Sequence, residues 1–222
     1  MSDWLSYTLS DFLLFSPRTY YRLFEIYNLA IWPMQLAALG LGLAVLALWL
    51  RRGVWHGRAI AAILAAGWLW VAGAFLLARY DTINWAAKYV AVGFALQALL
   101  LAWAGLVRDR IRLSPPANAA GWGGLAVFVF ALAVQPLAAP LLGRDWTQVE
   151  LFGVAPDPTA VATLGLLAAA RAPRWLLVLP ALWCAITGVT LWTMAAPDAL
   201  ATPVVALLAL ILAVWSSRRG AA

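Results

Sequence analysis

The chain is 222 residues long, 65% hydrophobic and only 11% charged, with a formal net charge of +6. Soluble domains are about 45–50% apolar and about 25% charged, so this composition leaves too little polar surface for a water-soluble body and predicts an integral membrane protein. One His (His56) and one Cys (Cys184) leave a bis-His haem, a zinc hydrolase or an iron–sulfur cluster poorly supplied with ligands and exclude any internal disulfide, so neither cofactor nor metal is expected.

Residues 3–15, DWLSYTLSDFLLF, space Trp4, Leu5, Leu9, Phe12 and Leu13 at helical intervals with Ser and Asp between them. The stretch is too short to span and lacks the basic leading region of a signal peptide, which predicts an amphipathic helix lying in the membrane interface. Ser16-Pro17 reads as a helix cap followed by Pro at the first helical position, opening a second helix, PRTYYRLFEIYN, that runs toward the first span. Residues 1–28 are thus expected to form an outer interfacial segment, and residues 29–222 a transmembrane domain.

Seven apolar stretches follow: Leu29–Leu50, Ala59–Ala78, Trp85–Leu106, Leu125–Leu142, Leu151–Ala170, Trp175–Met194 and Asp198–Trp215. Most approach the roughly 20 residues that cross about 30 Å of hydrocarbon. If they cross in turn, ten of the fifteen Lys and Arg share one side (Arg51, Arg52, Arg58, Arg108, Arg110, Arg112, Arg171, Arg174, Arg218 and Arg219), and eight of the nine acids share the other. The positive-inside rule makes the basic side cytoplasmic. The expected fold is an all-α bundle of seven transmembrane helices, N-terminus outside and C-terminus cytoplasmic. Most of the fourteen Trp fall near span ends, as an interfacial belt requires, while Trp68, Trp70 and Trp183 fall near mid-depth, where core packing is the simplest account.

The fifth stretch, LFGVAPDPTAVATLGLLAAAR, carries two prolines around Asp157. A helix starting at Pro158 with Asp157 as its cap has thirteen residues to Ala170, about 20 Å, short of the membrane. Non-helical backbone then leads to it at depth, an arrangement that transporters use for substrate sites. Lys88 is expected about one turn inside the third span, with Asn84 four residues before it on the same face. Its ammonium either snorkels outward or pairs with Asp157 or Asp81. Gln97 and Gln135 fall near mid-depth and should face the bundle interior, together with Gln35 nearer the outer surface. Pro33, Pro136, Pro140 and Pro180 are expected to kink the spans, and Gly40, Gly42 and Gly73 to allow close helix contact. The candidate ligand-binding residues are therefore Asp157, Lys88, Thr159, Asn84, Gln97 and Gln135.

FLLFSPRTYYRLFEIYN, NWAAKYVAVGFALQALLL and LFGVAPDPTAVATLGLL together resemble a family of multi-pass bacterial membrane proteins catalogued as a domain of unknown function. The resemblance covers nearly the whole chain, with APDPT its most specific piece. It implies a bacterial inner-membrane home and transfers no catalytic residue. The leading expectation is a small-molecule permease or membrane binding protein with an outward-facing pocket at the broken start of helix five. The runner-up is a non-catalytic subunit or scaffold of a larger membrane complex, and an enzyme using Asp157 as acid or base comes third. Expected partners are the lipid bilayer, a small polar ligand and another membrane protein or a second copy. The positive charge is an orientation signal, so nucleic acid is not among them.

Overall fold

In the computed structural model, which describes residues 15–170 and 172–219, the interfacial helix expected at 3–15 lies almost wholly outside the described residues. Ser16 accepts the Thr19 N–H at 3.2 Å and Pro17 takes the first position of α1 (Pro17–Ala30), as its missing N–H allows. At Trp32-Pro33 the chain bends by 91° into α2 (Met34–Leu50), so α1 does not run straight on into α2.

The next three candidate spans are not uniform α-helices. α3 (His56–Trp70) widens into a π-helical turn at Val71–Leu77, and α4 (Ala87–Ala102) does so at Trp103–Val107. α5 (Ala119–Val129) passes through a π turn at Phe130–Val134 and a tight 3-10 turn at Gln135–Leu137 before the short α6 (Ala138–Leu141). Pro136 supplies the reason in α5, since it has no N–H to give back to the preceding turn. α7 (Pro156–Ala169), α8 (Val178–Thr193, entered by a 3-10 turn at Arg174–Leu177) and α9 (Ala201–Arg219) complete the chain. Pro180 sits at the third position of α8, within the continuous helical stretch Arg174–Thr193.

The protein is all-helical, with no strand among the described residues. Helices stand at all seven expected positions. Four stretches are individually long and apolar enough to cross a membrane: His56–Thr82, Ala87–Val107, Ala119–Leu141 and Arg174–Thr193. The bent pair α1–α2 makes a fifth if it is one broken span, and α9 contributes a shorter apolar stretch, Ala201–Trp215.

α7 is different in kind. It has 14 residues, about 21 Å of rise, and every one from Pro156 to Ala168 is buried. A helix apolar on all sides belongs inside a bundle, and α5, α9, α8 and α3 pack around it. The closest approach is to α5. A β-carbon on Gly124 would run into the Gly165 carbonyl, and one on Gly165 into Val127 and the Gly124 carbonyl. Of the glycines singled out from the sequence, Gly42 does pack, against Leu132 and Phe152, whereas Gly40 and Gly73 face open space.

This contrast is testable. Gly165→Ala should lower stability by about 1–3 kcal/mol through overpacking, whereas Gly40→Ala should be neutral or add up to about 1 kcal/mol of helix propensity. Thermal unfolding of both variants in one detergent checks the difference.

Candidate functional site at the start of α7

Chain geometry places a carboxylate at the entrance of this central helix. The helix begins at Pro156, not Pro158, with Ala155 as its cap residue. Both prolines fit because the first three N–H groups of a helix have no partner inside it. Asp157 is therefore not the cap. It lies in the first turn, at the positive end of the helix dipole, and is only 3% exposed.

Its charge is met by neutral donors from the two neighbouring helices. Trp183 Nε1 and Thr187 Oγ1 of α8 donate to Oδ1 at 2.7 and 2.9 Å, and Thr202 Oγ1 of α9 donates to Oδ2 at 3.3 Å. Trp183 and Thr187 are four residues apart on one face of α8, the spacing that brings two side chains to one acceptor. Gln135 Nε2 reaches Thr202 Oγ1 at 3.4 Å, so Gln135 touches the Asp157 network through one hydroxyl.

Thr159 serves the approach to α7. Its hydroxyl donates to the Ala155 carbonyl at 2.6 Å and accepts the Gly153 N–H at 2.8 Å. Gly153 takes a positive φ of 80°, which a residue without a β-carbon adopts freely. One turn on, Thr163 donates to the Thr159 carbonyl and receives Trp68 Nε1 at 2.9 Å. Tyr27 of α1 donates to the Val154 carbonyl at 2.9 Å and accepts from Trp70 Nε1. Trp68 and Trp183 therefore spend their N–H groups on α7 itself, and Trp70 reaches its entrance only through the Tyr27 hydroxyl.

Lys88 is not part of this assembly. It lies in the first turn of α4, exposed, and has no ion-pair partner among the described residues. Asp157 is already satisfied by three neutral donors, and an exposed ammonium keeps its hydration, so the pair does not form. Asn84 precedes α4 and shares no helical face with Lys88. It donates to Tyr80 and accepts the Ala86 N–H, closing a turn. Gln97 is completely buried in α4 and donates to the Leu176 carbonyl at 2.9 Å, away from Asp157. An apolar cleft of about 120 Å³ between α2 and α3 reaches Gly153 and Val154, but Asp157 does not line it.

Charges beyond those singled out from the sequence gather at the same end of the bundle. Arg144, after α6, pairs with Asp198 of the α8–α9 turn at 2.9 Å and stacks over the Tyr21 ring at 4.3 Å. Both side chains are largely buried, at 12% and 16% exposure. Glu150 lies near enough to feel Asp157, Arg144 and Asp198. Burial first, and then the Asp157 charge, push its carboxyl well above the ordinary 4.5, with Arg144 opposing. Arg144 and Glu150 carried one sequence signal, a run of charge in RDWTQVE just before the APDPT segment, and Asp198 lies far outside it.

Residues 18–222 match the family described as a family of unknown function, DUF6064, and the chain belongs to that family. No curated protein and no solved structure matches it.

Trp183→Phe should cost about 1.5–3 kcal/mol, the range for a hydrogen bond to a charged group. Combined with Asp157→Asn the losses should fall short of additive by at least about 0.5 kcal/mol, and Lys88→Ala should change stability by less than about 0.5 kcal/mol. A double-mutant cycle of thermal unfolding reads all three.

Glu150 predicts a pH dependence. A carboxyl whose pKa is raised on folding holds its proton more tightly in the folded state. Stability is therefore fully retained below about 4.5 and falls as pH rises through the raised value. Glu150→Gln should flatten that fall when unfolding is followed from about pH 4 to about pH 8.

Proposed function

We propose that the chain is a seven-span protein of the bacterial inner membrane, with its N-terminus outside and C-terminus cytoplasmic. It acts as a small-molecule permease or membrane binding protein whose outward-facing site lies at the start of α7. The apolar helices and the separation of basic from acidic residues support the topology. One observation carries the function: Asp157 is buried in the first turn of a helix that is itself buried on every side.

A carboxylate inside a membrane bundle is expensive and marks ligand or ion sites. A joint between helices can be made with neutral or apolar side chains at equal or lower cost, so a purely structural role leaves the charge unexplained. Three of the roughly four acceptor positions of the carboxylate are occupied, and the free one is on Oδ2. Because the donors come from α8 and α9, a ligand that competes for the carboxylate alters how both helices meet α7. That is the coupling a permease requires.

Native mass spectrometry of protein extracted gently from its host membrane tests this. The expected species is a monomer or homo-oligomer carrying a non-lipid mass, absent from Asp157→Asn. A stoichiometric complex with another polypeptide and no small-molecule mass would overturn the reading in favour of a subunit or scaffold.

A further inference from the structure

A second recess lies at the other end of α7, away from Asp157. Its walls are Arg108, Asp109, Arg110 and Arg112, which follow α4, and Ala172 and Pro173, which join the end of α7 to the start of α8. It has a volume of about 580 Å³ and sets three guanidiniums against a single carboxylate. Exposed arginines at one end of a membrane protein are ordinary, so their number alone assigns nothing. Here, however, the loop that carries them is anchored. Ile111, in the middle of the run, is buried, and its carbonyl lies where a β-carbon on Gly57 of α3 would stand. The Arg110 N–H donates to the Ala104 carbonyl at 2.8 Å, and Asp109 takes a positive φ of 50°, which Asp tolerates better than most residues.

The one acid of the recess is already engaged. Arg58 of α3 reaches Asp109 Oδ1 at 3.4 Å and Arg112 reaches Oδ2 at 3.7 Å, while Arg112 Nε donates to the Asp109 carbonyl at 3.2 Å. Arg108 lies over the Trp103 ring at 5.2 Å. Neither Arg108 nor Arg110 has a carboxylate partner among the described residues, so two fixed guanidiniums face the recess with charge to spare. Guanidinium is the side chain that matches a phosphate oxygen pair best. The surroundings then favour a lipid phosphate over a soluble one. Gln97 of α4 donates to the Leu176 carbonyl at 2.9 Å, and further along α4 the Trp103 and Trp175 rings meet at 6.1 Å. α4 and the start of α8 therefore form one seam leading to the recess. Both rings are exposed along it, and so are Val107 and Val178, at 71% and 60%. Exposed Trp at headgroup depth beside apolar side chains is surface that meets lipid, and basic pockets between spans take anionic headgroups.

We propose that this recess binds the headgroup of an anionic phospholipid, its phosphate held by Arg108 and Arg110 and its acyl chains lying along the Trp103–Trp175 seam. Arg112, positioned by Asp109, closes one side of the headgroup.

The experiment is thermal unfolding of the full-length protein in neutral detergent micelles. They contain dioleoyl phosphatidylglycerol or, at the same content, zwitterionic dioleoyl phosphatidylcholine. Phosphatidylglycerol should raise the Tm by at least about 2 °C more than phosphatidylcholine. Arg108→Gln combined with Arg110→Gln should lose most of that difference. Arg51→Gln combined with Arg52→Gln, which removes the same charge from the turn between α2 and α3, should keep it. Equal rises with the two lipids, an undiminished rise in the Arg108–Arg110 variant, or equal losses in both variants would overturn the site. Should the Arg108–Arg110 variant fail to fold, Arg110→Gln alone must still reduce the rise, and an unchanged rise would overturn the proposal. Sodium phosphate against sodium chloride at matched ionic strength separates the two sources of phosphate. A rise with phosphate equal to that with phosphatidylglycerol, and lost in the Arg108–Arg110 variant, would overturn the lipid in favour of a soluble phosphate compound.

Discussion

A helix enclosed by other helices has to find every polar partner within the protein, and α7 imposes that constraint on the whole bundle. Its own backbone bonds are internal, but its first turn and the chain leading into it leave N–H and C=O groups that neither water nor lipid satisfies. The surrounding side chains are arranged accordingly. Thr159 closes the approach on itself, Tyr27 takes the Val154 carbonyl, and Trp68 reaches the Thr163 hydroxyl. Gly124 and Gly165 let α5 come close enough to seal the far side. Elements far apart in sequence are held in register by this one short helix.

The Asp157 carboxylate concentrates the same demand. Its charge is spread over an indole and two hydroxyls from α8 and α9, assisted by the dipole of the helix that carries it. Around it α1, the α6–α7 link and the α8–α9 turn bring Tyr20, Tyr21, Arg144, Glu150 and Asp198 to one end of the molecule. α1 is held at that end by Asn28, which donates to the carbonyls of Thr147 and Val149 at 2.7 and 2.8 Å. The bend between α1 and α2 thus matters as much to the site as the spans do.

Much of this was legible in the sequence, for physical reasons. Composition alone demands apolar helices, and their positions follow from runs of Leu, Ala and Val. Pro156-Asp157-Pro158 stood out because no ordinary span interior carries such a triplet. The exact start of α7 was misjudged because a proline tolerated in a first turn reads like one that forbids helix. Lys88 drew attention as a charge near a span end, but nothing local distinguishes an exposed ammonium from a paired one. Arg144 and Asp198 meet across 54 residues, and Trp183 meets Asp157 across 26. No spacing rule reaches such distances, so the partners of the site had to come from the fold.

The three π turns give the bundle a property that neither composition nor charge describes. In each, the hydrogen bond skips one residue further than in an α-helix, as in Ala78 N–H to the Gly73 carbonyl and Arg108 N–H to the Trp103 carbonyl. A π turn is in effect a single inserted residue that the helix has absorbed without breaking. Everything beyond it is rotated by about 100° relative to an uninterrupted helix. Just beyond the turn at Val71–Leu77, Tyr80 is buried among Phe15, Tyr20 and Phe75, so the residue that the helix absorbs there helps to set which side chains its far end presents to α1.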